Sequence, residues 1–189
     1  MSDPTTLKLT YEDYLGFPDD LNRHEILDGE HAVTPAPTPR HQKICINLIE
    51  LLARHCRERG LGEVFTAPID VVLSETDVVQ PDLCFVAAAR HHLVTPTHIA
   101  GPPDLMVEIA SPGTRRRDEV TKRRLYEKFG VGEYWIVDPE VEQVRVWRGG
   151  AQGYAEKMEY ALEGGGVGAV LSSPLFPDLA LPLAEVFRD

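Results

Sequence analysis

Cysteine is scarce in this 189-residue chain: Cys45, Cys56 and Cys84 are odd in number, lack Cys-x-x-Cys spacing, and sit in apolar patterns where a thiol acts as a small hydrophobe. Neither a disulfide framework nor a zinc site is expected. No apolar run approaches the roughly 20 residues that cross a bilayer. Residues 1–6, Met-Ser-Asp-Pro-Thr-Thr, also lack the basic-then-apolar pattern of a signal peptide, so a soluble, cytoplasmic protein with no membrane partner is expected. Positive charge is in short supply, with 19 Lys and Arg against 30 Asp and Glu and a net charge of -11. That balance excludes general coating of nucleic acid, because backbone binding depends on Lys and Arg releasing counterions; a nucleic-acid substrate needs a local basic patch. Internal repeats, low-complexity tracts and interdomain linkers are absent as well. With 43% hydrophobic residues, the length suits one well-buried core, and residues 1–189 are expected to form a single domain.

The elements can be read from their punctuation. Thr10 is placed to cap a short helix from Tyr11 to Leu15, ended by Pro18. Arg23 to Val33 reads as a β-hairpin turning at Asp28-Gly29, where a tight turn requires positive φ. The strongest helix runs from Thr38, with Pro39 at its first position, through Ile44, Leu48, Leu51, Leu52 and Cys56 to Gly60. Strand-like pieces at Gly62–Thr66, Ile69–Leu73 and Val79–Val86 suggest a β-meander, with Ser74 to Asp77 joining the last two. A looser segment from Ala87 to Pro103 leads to a strand at Asp104–Ala110, and a helix from about Arg115 to Phe129 stops at Gly130. Glu133–Val137 and Gln143–Trp147 pair as a hairpin, Gly149-Gly150 and Gly164-Gly165-Gly166 mark turns, and a short helix spans Ala184–Phe187. The expected class is α/β (mixed α+β), a mixed central sheet flanked by helices.

Asp82 and Glu108 stand out because each is a carboxylate inside an apolar strand-like run, where burial is costly unless the charge is paired, hydrogen-bonded or bound to metal. Alternation puts Asp104, Met106, Glu108 and Ala110 on one face of their strand, and Asp82, Cys84 and Val86 on one face of theirs. The two acids converge if those strands are neighbours. With Lys122 following, they make a magnesium-dependent phosphodiester-cleaving site plausible. Plainer readings stand beside this one: Asp82 as a turn residue after Pro81, Glu108 as an ion-paired strand residue, Lys122 as a helix-surface lysine bridged to Asp118, and Glu25 as an exposed hairpin acid. Arg115-Arg116-Arg117 and Lys122-Arg123-Arg124 could draw a phosphate backbone toward the site or form a solvated helix face. His91-His92 are poorly spaced to chelate one ion, and His41 is expected to cap or pack near the entrance without a catalytic role. Tyr134, Trp135 and Trp147 fit strand packing.

Several ordered motifs together carry a family resemblance: Arg23-His24-Glu25-Ile26-Leu27-Asp28-Gly29-Glu30, Pro35-Ala36-Pro37, His41, Gln80-Pro81-Asp82, Pro103 to Ile109, Ser111-Pro112, Asp118, Lys122, Tyr126 and Gly130 to Pro139. From about Tyr11 to the C-terminus the chain resembles the Uma-two family of restriction endonucleases, within the PD-(D/E)XK nuclease superfamily. The resemblance implies a restriction-endonuclease-like core, Asp82 as the metal-binding aspartate and Glu108 as the second acid. The superfamily's lysine normally stands two residues after that acid, where this chain has Ala110. The resemblance therefore points to Lys122 as the displaced amine, with Glu25 as an additional acid. Asp82, Glu108 and the main-chain carbonyl of Ile109 are the implied ligands of magnesium or manganese. The expected function is metal-dependent endonuclease cleavage of nucleic acid, DNA foremost, with a homodimer suited to cutting two strands. The alternatives are a catalytically weak or inactive nucleic-acid-binding or regulatory module on the same fold, and a small-molecule or nucleotide phosphodiesterase.

Overall fold

The computed structural model describes residues 7–18, 20, 22–150, 153–162 and 169–189. Helix α1 (Tyr11–Tyr14) starts from Thr10 in a reciprocal capping box with Asp13. Strands β1 (Arg23–Leu27) and β2 (Glu30–Thr34) form the expected hairpin, with Asp28 and Gly29 at φ of 52° and 81°. Helix α2 (Pro39–Arg59) is capped by Thr38 and ends on left-handed Gly60. It buries Ile44, Leu48, Leu52 and Cys56.

The central sheet has six strands in the order β11-β10-β9-β8-β6-β3: β3 (Gly62–Thr66), β6 (Leu83–Ala87), β8 (Leu105–Ile109), β9 (Glu133–Asp138), β10 (Gln143–Gly150) and β11 (Gly153–Ala161). Only β8 and β9 run parallel. Their crossover is the helical segment from Arg115 to Phe129, as parallel strands require a long connection. Side chains alternate across the sheet. Leu105, Val107 and Ile109 meet α2 and the C-terminal segment in one core, which closes over helix α4 (Leu183–Val186). Met106 and Ala110 pack on the opposite face with Tyr126 and Tyr134. That second face is covered by helix α3 (Arg123–Phe129) and by a five-stranded sheet ordered β2-β1-β5-β4-β7, whose remaining members are β4 (Val71–Ser74), β5 (Asp77–Val79) and β7 (Ile99–Ala100). A small pair, β12 (Val170–Leu171) and β13 (Leu181–Pro182), completes the order.

The expected meander is corrected here. β3 pairs with β6, β4 pairs with β5, and the run Val79–Val86 is split between the two sheets. The break has a physical cause: Pro81 has no N–H to donate to a ladder, and the N–H of Gln80 goes to the Glu25 carboxylate at 2.9 Å instead of to a strand. Gln80-Pro81-Asp82 is thus where the chain passes from one sheet to the other. The expected loose segment contains a 3-10 turn at Ala88–Leu93. Gly149 and Gly150 close strand β10 instead of forming a turn, and Gly164-Gly165-Gly166 lie outside the described residues. All three cysteines are free.

Gly62 locks β3 against β6. At φ 146°, a Cβ there would lie 2.2 Å from the carbonyl oxygen of Val86 and 2.8 Å from the Ala87 Cα. Backbone cannot yield as a flexible side chain can, so Gly62→Ala is expected to lower unfolding free energy by about 2–4 kcal/mol. Urea denaturation checks this; a loss below about 0.5 kcal/mol would show that the strand edge adapts.

Candidate active site

The site forms where the two sheets meet. Glu25 lies in mid-β1, Asp82 immediately precedes β6, Glu108 is on β8, and Lys122 ends a π-helical segment, Arg117–Lys122, leading into α3. Strands β6 and β8 are antiparallel neighbours whose register reaches Leu83↔Val107, so Asp82 and Glu108 stand at the next step. There the Asp82 side chain takes over from the backbone ladder: its Oδ2 accepts the N–H of Ile109 at 2.7 Å. Oδ1 receives Arg23 at 2.5 Å and faces His41 Nε2 at 3.2 Å.

Lys122 is the hub. Its Nζ donates to Glu25 Oε1 at 2.7 Å and to Glu108 Oε1 at 2.8 Å, and the Tyr126 hydroxyl donates to the same Glu108 oxygen at 2.8 Å. Glu25 is 1% exposed, Lys122 3% and Glu108 4%. The helix turn that carries the lysine is widened, with the N–H of Arg123 reaching back five residues to the carbonyl of Asp118. Such π turns recur at functional sites because they re-aim side chains. Here the turn directs both Asp118 and Lys122 into one cavity of about 460 Å³, lined also by Arg23, His41, Asp82 and Glu108.

Burial lifts Glu108 to about 8, and the charges of Asp118, Asp82 and Glu25 add to the rise while Lys122 opposes it. Burial opposes the charge on Lys122 too, yet Glu108, Glu25 and Asp118 together hold it above its ordinary range, so the ammonium stays charged. These directions conflict for an isolated ion pair, which would hold its acid low. The upward direction for Glu108 stands because one ammonium is shared among three carboxylates and cannot neutralise all of them. Burial likewise raises Asp118, against the opposing charge of Lys122. Asp82 goes the other way. Burial pushes it up, but the contact with His41, the Arg23 charge and the Ile109 N–H outweigh burial and hold its carboxyl below the usual range.

All four side chains expected from the sequence are brought together, with one qualification. Asp82, Glu108, Lys122 and also Ile109 line the cavity, whereas Glu25 stands behind Lys122 and does not. Its Oε1 serves Lys122 and Gln80, and its buried Oε2 has no partner among the described residues. Lys122 pairs with Glu25 and Glu108, and the plainer alternative of a helix-surface lysine bridged to Asp118 is not what the fold makes. Sequence reasoning passed over Arg23, His41 and Tyr126 as parts of the site, although all three belong to the motifs that carry the resemblance. Their partners come from other elements, so no local spacing reveals them. Half of the basic run is engaged internally: Arg115 pairs with Asp138 and Glu140, Arg123 with Glu127, and Lys122 is buried, while Arg116 and Arg124 are exposed. Arg117 instead lines the cavity, bonded to Thr34 Oγ1 at 2.6 Å, with no carboxylate partner among the described residues. His91 pairs with Glu63 at the surface, and Tyr134, Trp135 and Trp147 are buried in strand packing.

Among the described residues, no group of three or more His, Cys, Asp or Glu side chains is spaced to hold a metal ion. What the cavity offers is a sparser oxygen set, Asp82 and Glu108, with Ile109 beside them to add its carbonyl. That set fits magnesium or manganese, hard ions of which magnesium retains several waters, and it does not fit a closed all-protein cage. Buried negative charge in excess, recorded in the elevation of Glu108, is what such a cation would relieve. Among the described residues, no helix is long and apolar enough to cross a membrane.

Comparison with known proteins agrees with this architecture. A solved structure from Anabaena variabilis ATCC 29413, described as "a putative nuclease belonging to DUF820", superposes with a TM-score of 0.78 at 19% identity, covering 95% of this chain and 97% of that one. The likeness shows a shared mixed α+β fold. No curated protein matches the chain. The family match spans residues 11–184, including every side chain of the cavity, and on it the chain belongs to the Uma2 family, described as "Putative restriction endonuclease".

Proposed function

We propose that this chain is a single-domain endonuclease that hydrolyses phosphodiester bonds of DNA with magnesium or manganese. The observation that carries the reading is the Lys122 ammonium, held 2.7 Å from Glu25 and 2.8 Å from Glu108, in one cavity with Asp82. A divalent cation held by Asp82, Glu108 and the Ile109 carbonyl would supply neutralisation of phosphate charge and a more acidic water.

The chain's own groups do the rest. Lys122, clamped and dry, presents a fixed positive charge where negative charge grows on the phosphoryl oxygens, and such preorganised charge is the largest single lever in many active sites. Glu25 is a positioning residue, holding that ammonium from behind. Tyr126 and Lys122 both bond Glu108 at Oε1, fixing the carboxylate while its protein hydrogen bonds leave Oε2 free. Ile109 N–H and Arg23 orient Asp82. Arg117, lacking a carboxylate partner among the described residues, is placed to take a non-bridging phosphate oxygen. Water adds to phosphorus and gives up a proton to solvent, the P–O bond to the leaving strand breaks, and solvent supplies a proton to the departing oxygen.

Ala110, standing where the superfamily's lysine is normally found, favours a second reading: a nucleic-acid-binding module without turnover. Metal titration with cleavage separates the two. Magnesium or manganese at a hundredfold excess over Kd is expected to stabilise the fold by about 2.7 kcal/mol, and Asp82→Asn to lose most of that response. Wild-type protein that gains this stability yet leaves labelled DNA intact would establish the binding module. A symmetric homodimer, offering two sites to two strands, is part of the proposal, as is a cytoplasmic location; sedimentation at twice the 21.1 kDa chain mass checks the dimer.

A further inference from the structure

A second cavity, of about 610 Å³, adjoins the first. The two share a wall that includes Arg23, Pro35, Pro37, His41 and Asp82. The size falls within the roughly 300–1,000 Å³ of small-molecule sites, and its lining is mixed, with Tyr14, His24 and Gln80 contributing polar groups beside the shared Arg23, His41 and Asp82. Phe17, Pro37, Ile46 and Ile49 give it apolar surfaces, and Asn22 and Gln42 add hydrogen-bonding groups. The Phe17 ring is anchored against His31, with centroids 4.4 Å apart. On α2, the residues Gln42, Ile46 and Ile49 follow i, i+4, i+7 spacing, the lining counterpart of the face that carries Ile44, Leu48 and Leu52 into the core. Ile46 remains 48% exposed.

We infer that this cavity is a nucleobase subsite: it takes the base of an unpaired nucleotide next to the phosphate bound in the neighbouring cavity of Asp82, Glu108 and Arg117, which makes single-stranded DNA the substrate class. The inference deepens the nuclease reading and rests on it for the place of the phosphate. Three observations converge. A phosphate bound in the catalytic cavity is covalently tied to nucleosides on either side, and the shared wall puts one of them at the mouth of the second cavity. A lining that combines the Phe17 ring, Ile46 and Ile49 with the polar groups of Asn22, Gln42 and Gln80 suits a base, which stacks by its faces and is read by its edge. Finally, the net charge of -11 limits counterion-release affinity for a duplex, so recognition falls to contacts that a stacked, paired base cannot make.

Binding is measured without turnover, using Glu108→Gln protein and fluorescein-labelled oligodeoxynucleotides of one length, single-stranded or in a blunt duplex. Anisotropy is expected to show the single strand bound at least tenfold more tightly. Ile46→Asp in the same background puts a carboxylate on the exposed cavity wall and is expected to weaken single-strand binding at least tenfold while leaving duplex binding and melting temperature unchanged. Phe17→Ala is expected to act in the same direction. Equal affinity for both substrates, no binding of either, or indifference to Ile46→Asp would each overturn the subsite. Cleavage by wild-type protein separates this outcome from the fate of the nuclease reading. Cutting without single-strand preference leaves the nuclease and removes the subsite; Ile46-dependent single-strand binding without cutting keeps the subsite and removes the nuclease.

Discussion

Glu108→Gln is expected to make the metal-free protein more stable at pH 8 by about 3–5 kcal/mol while abolishing cleavage. Burial, with Asp118, Asp82 and Glu25 nearby, lifts the folded-state value of Glu108 from 4.5 to about 8. A value raised on folding means the native state holds the proton more tightly than the unfolded chain does. The associated stability is therefore fully present below about pH 4.5, declines as pH rises, and is gone above about pH 8. Glutamine mimics the protonated acid and can still accept from Lys122 and Tyr126, so it should lack this decline. Urea unfolding of both proteins from pH 4 to pH 9 in chelator tests it: the curves should nearly coincide at pH 4 and diverge upward. Parallel curves would mean that the carboxylate is ionised in the fold at all these pH values and that Lys122 alone compensates it.

Lys122→Met should act in the opposite direction on the fold and in the same direction on activity. Removing the ammonium leaves Glu25 and Glu108 buried without their shared cation, and breaking a buried pair in this way costs about 3–5 kcal/mol. The cost should shrink at acid pH, where the carboxylates can protonate. Cleavage should fall by about 10²–10³, the scale of losing one preorganised charge stabiliser, when measured well below the variant's melting temperature. Lys122→Arg should not restore it, because a planar guanidinium cannot replace a compact ammonium between two carboxylates. Combining Lys122→Met with Glu25→Gln separates the two roles. The double variant is expected to regain stability by removing an orphaned charge, a non-additivity typical of contacting groups, and to remain inactive. Recovery of cleavage in the double variant would show that Lys122 serves only to neutralise Glu25.

Local chemistry made much of the architecture legible. Thr38 and Pro39 before an apolar stripe, Gly60 after it, and Asp28-Gly29 inside the hairpin each dictate backbone geometry within a few residues, and the structure places α2 and the β1/β2 turn accordingly. Alternation along β8 put Glu108 and Met106 on the face opposite Val107 and Ile109, as observed. The meander fails for a comparable local reason: Pro81 breaks a ladder, so the run Val79–Val86 divides between two sheets. The π turn at Arg117–Lys122 and the pairing of Arg115 with Asp138 had no spacing signal, because the groups that select them come from β9 and the cavity wall.

Residue order alone determined the main helices, the hairpin and the face of Glu108, and it drew notice to Asp82 and Glu108 as carboxylates in apolar runs. Only the tertiary structure decided that β6 and β8 are neighbours, that Lys122 reaches Glu25 across 97 residues of chain, and that Glu25 supports the lysine from behind the cavity. The division has a physical basis. Caps, turns and alternation are settled by sterics and hydrogen bonds over a few residues, whereas the charge state and partner of a buried group depend on every element packed around it.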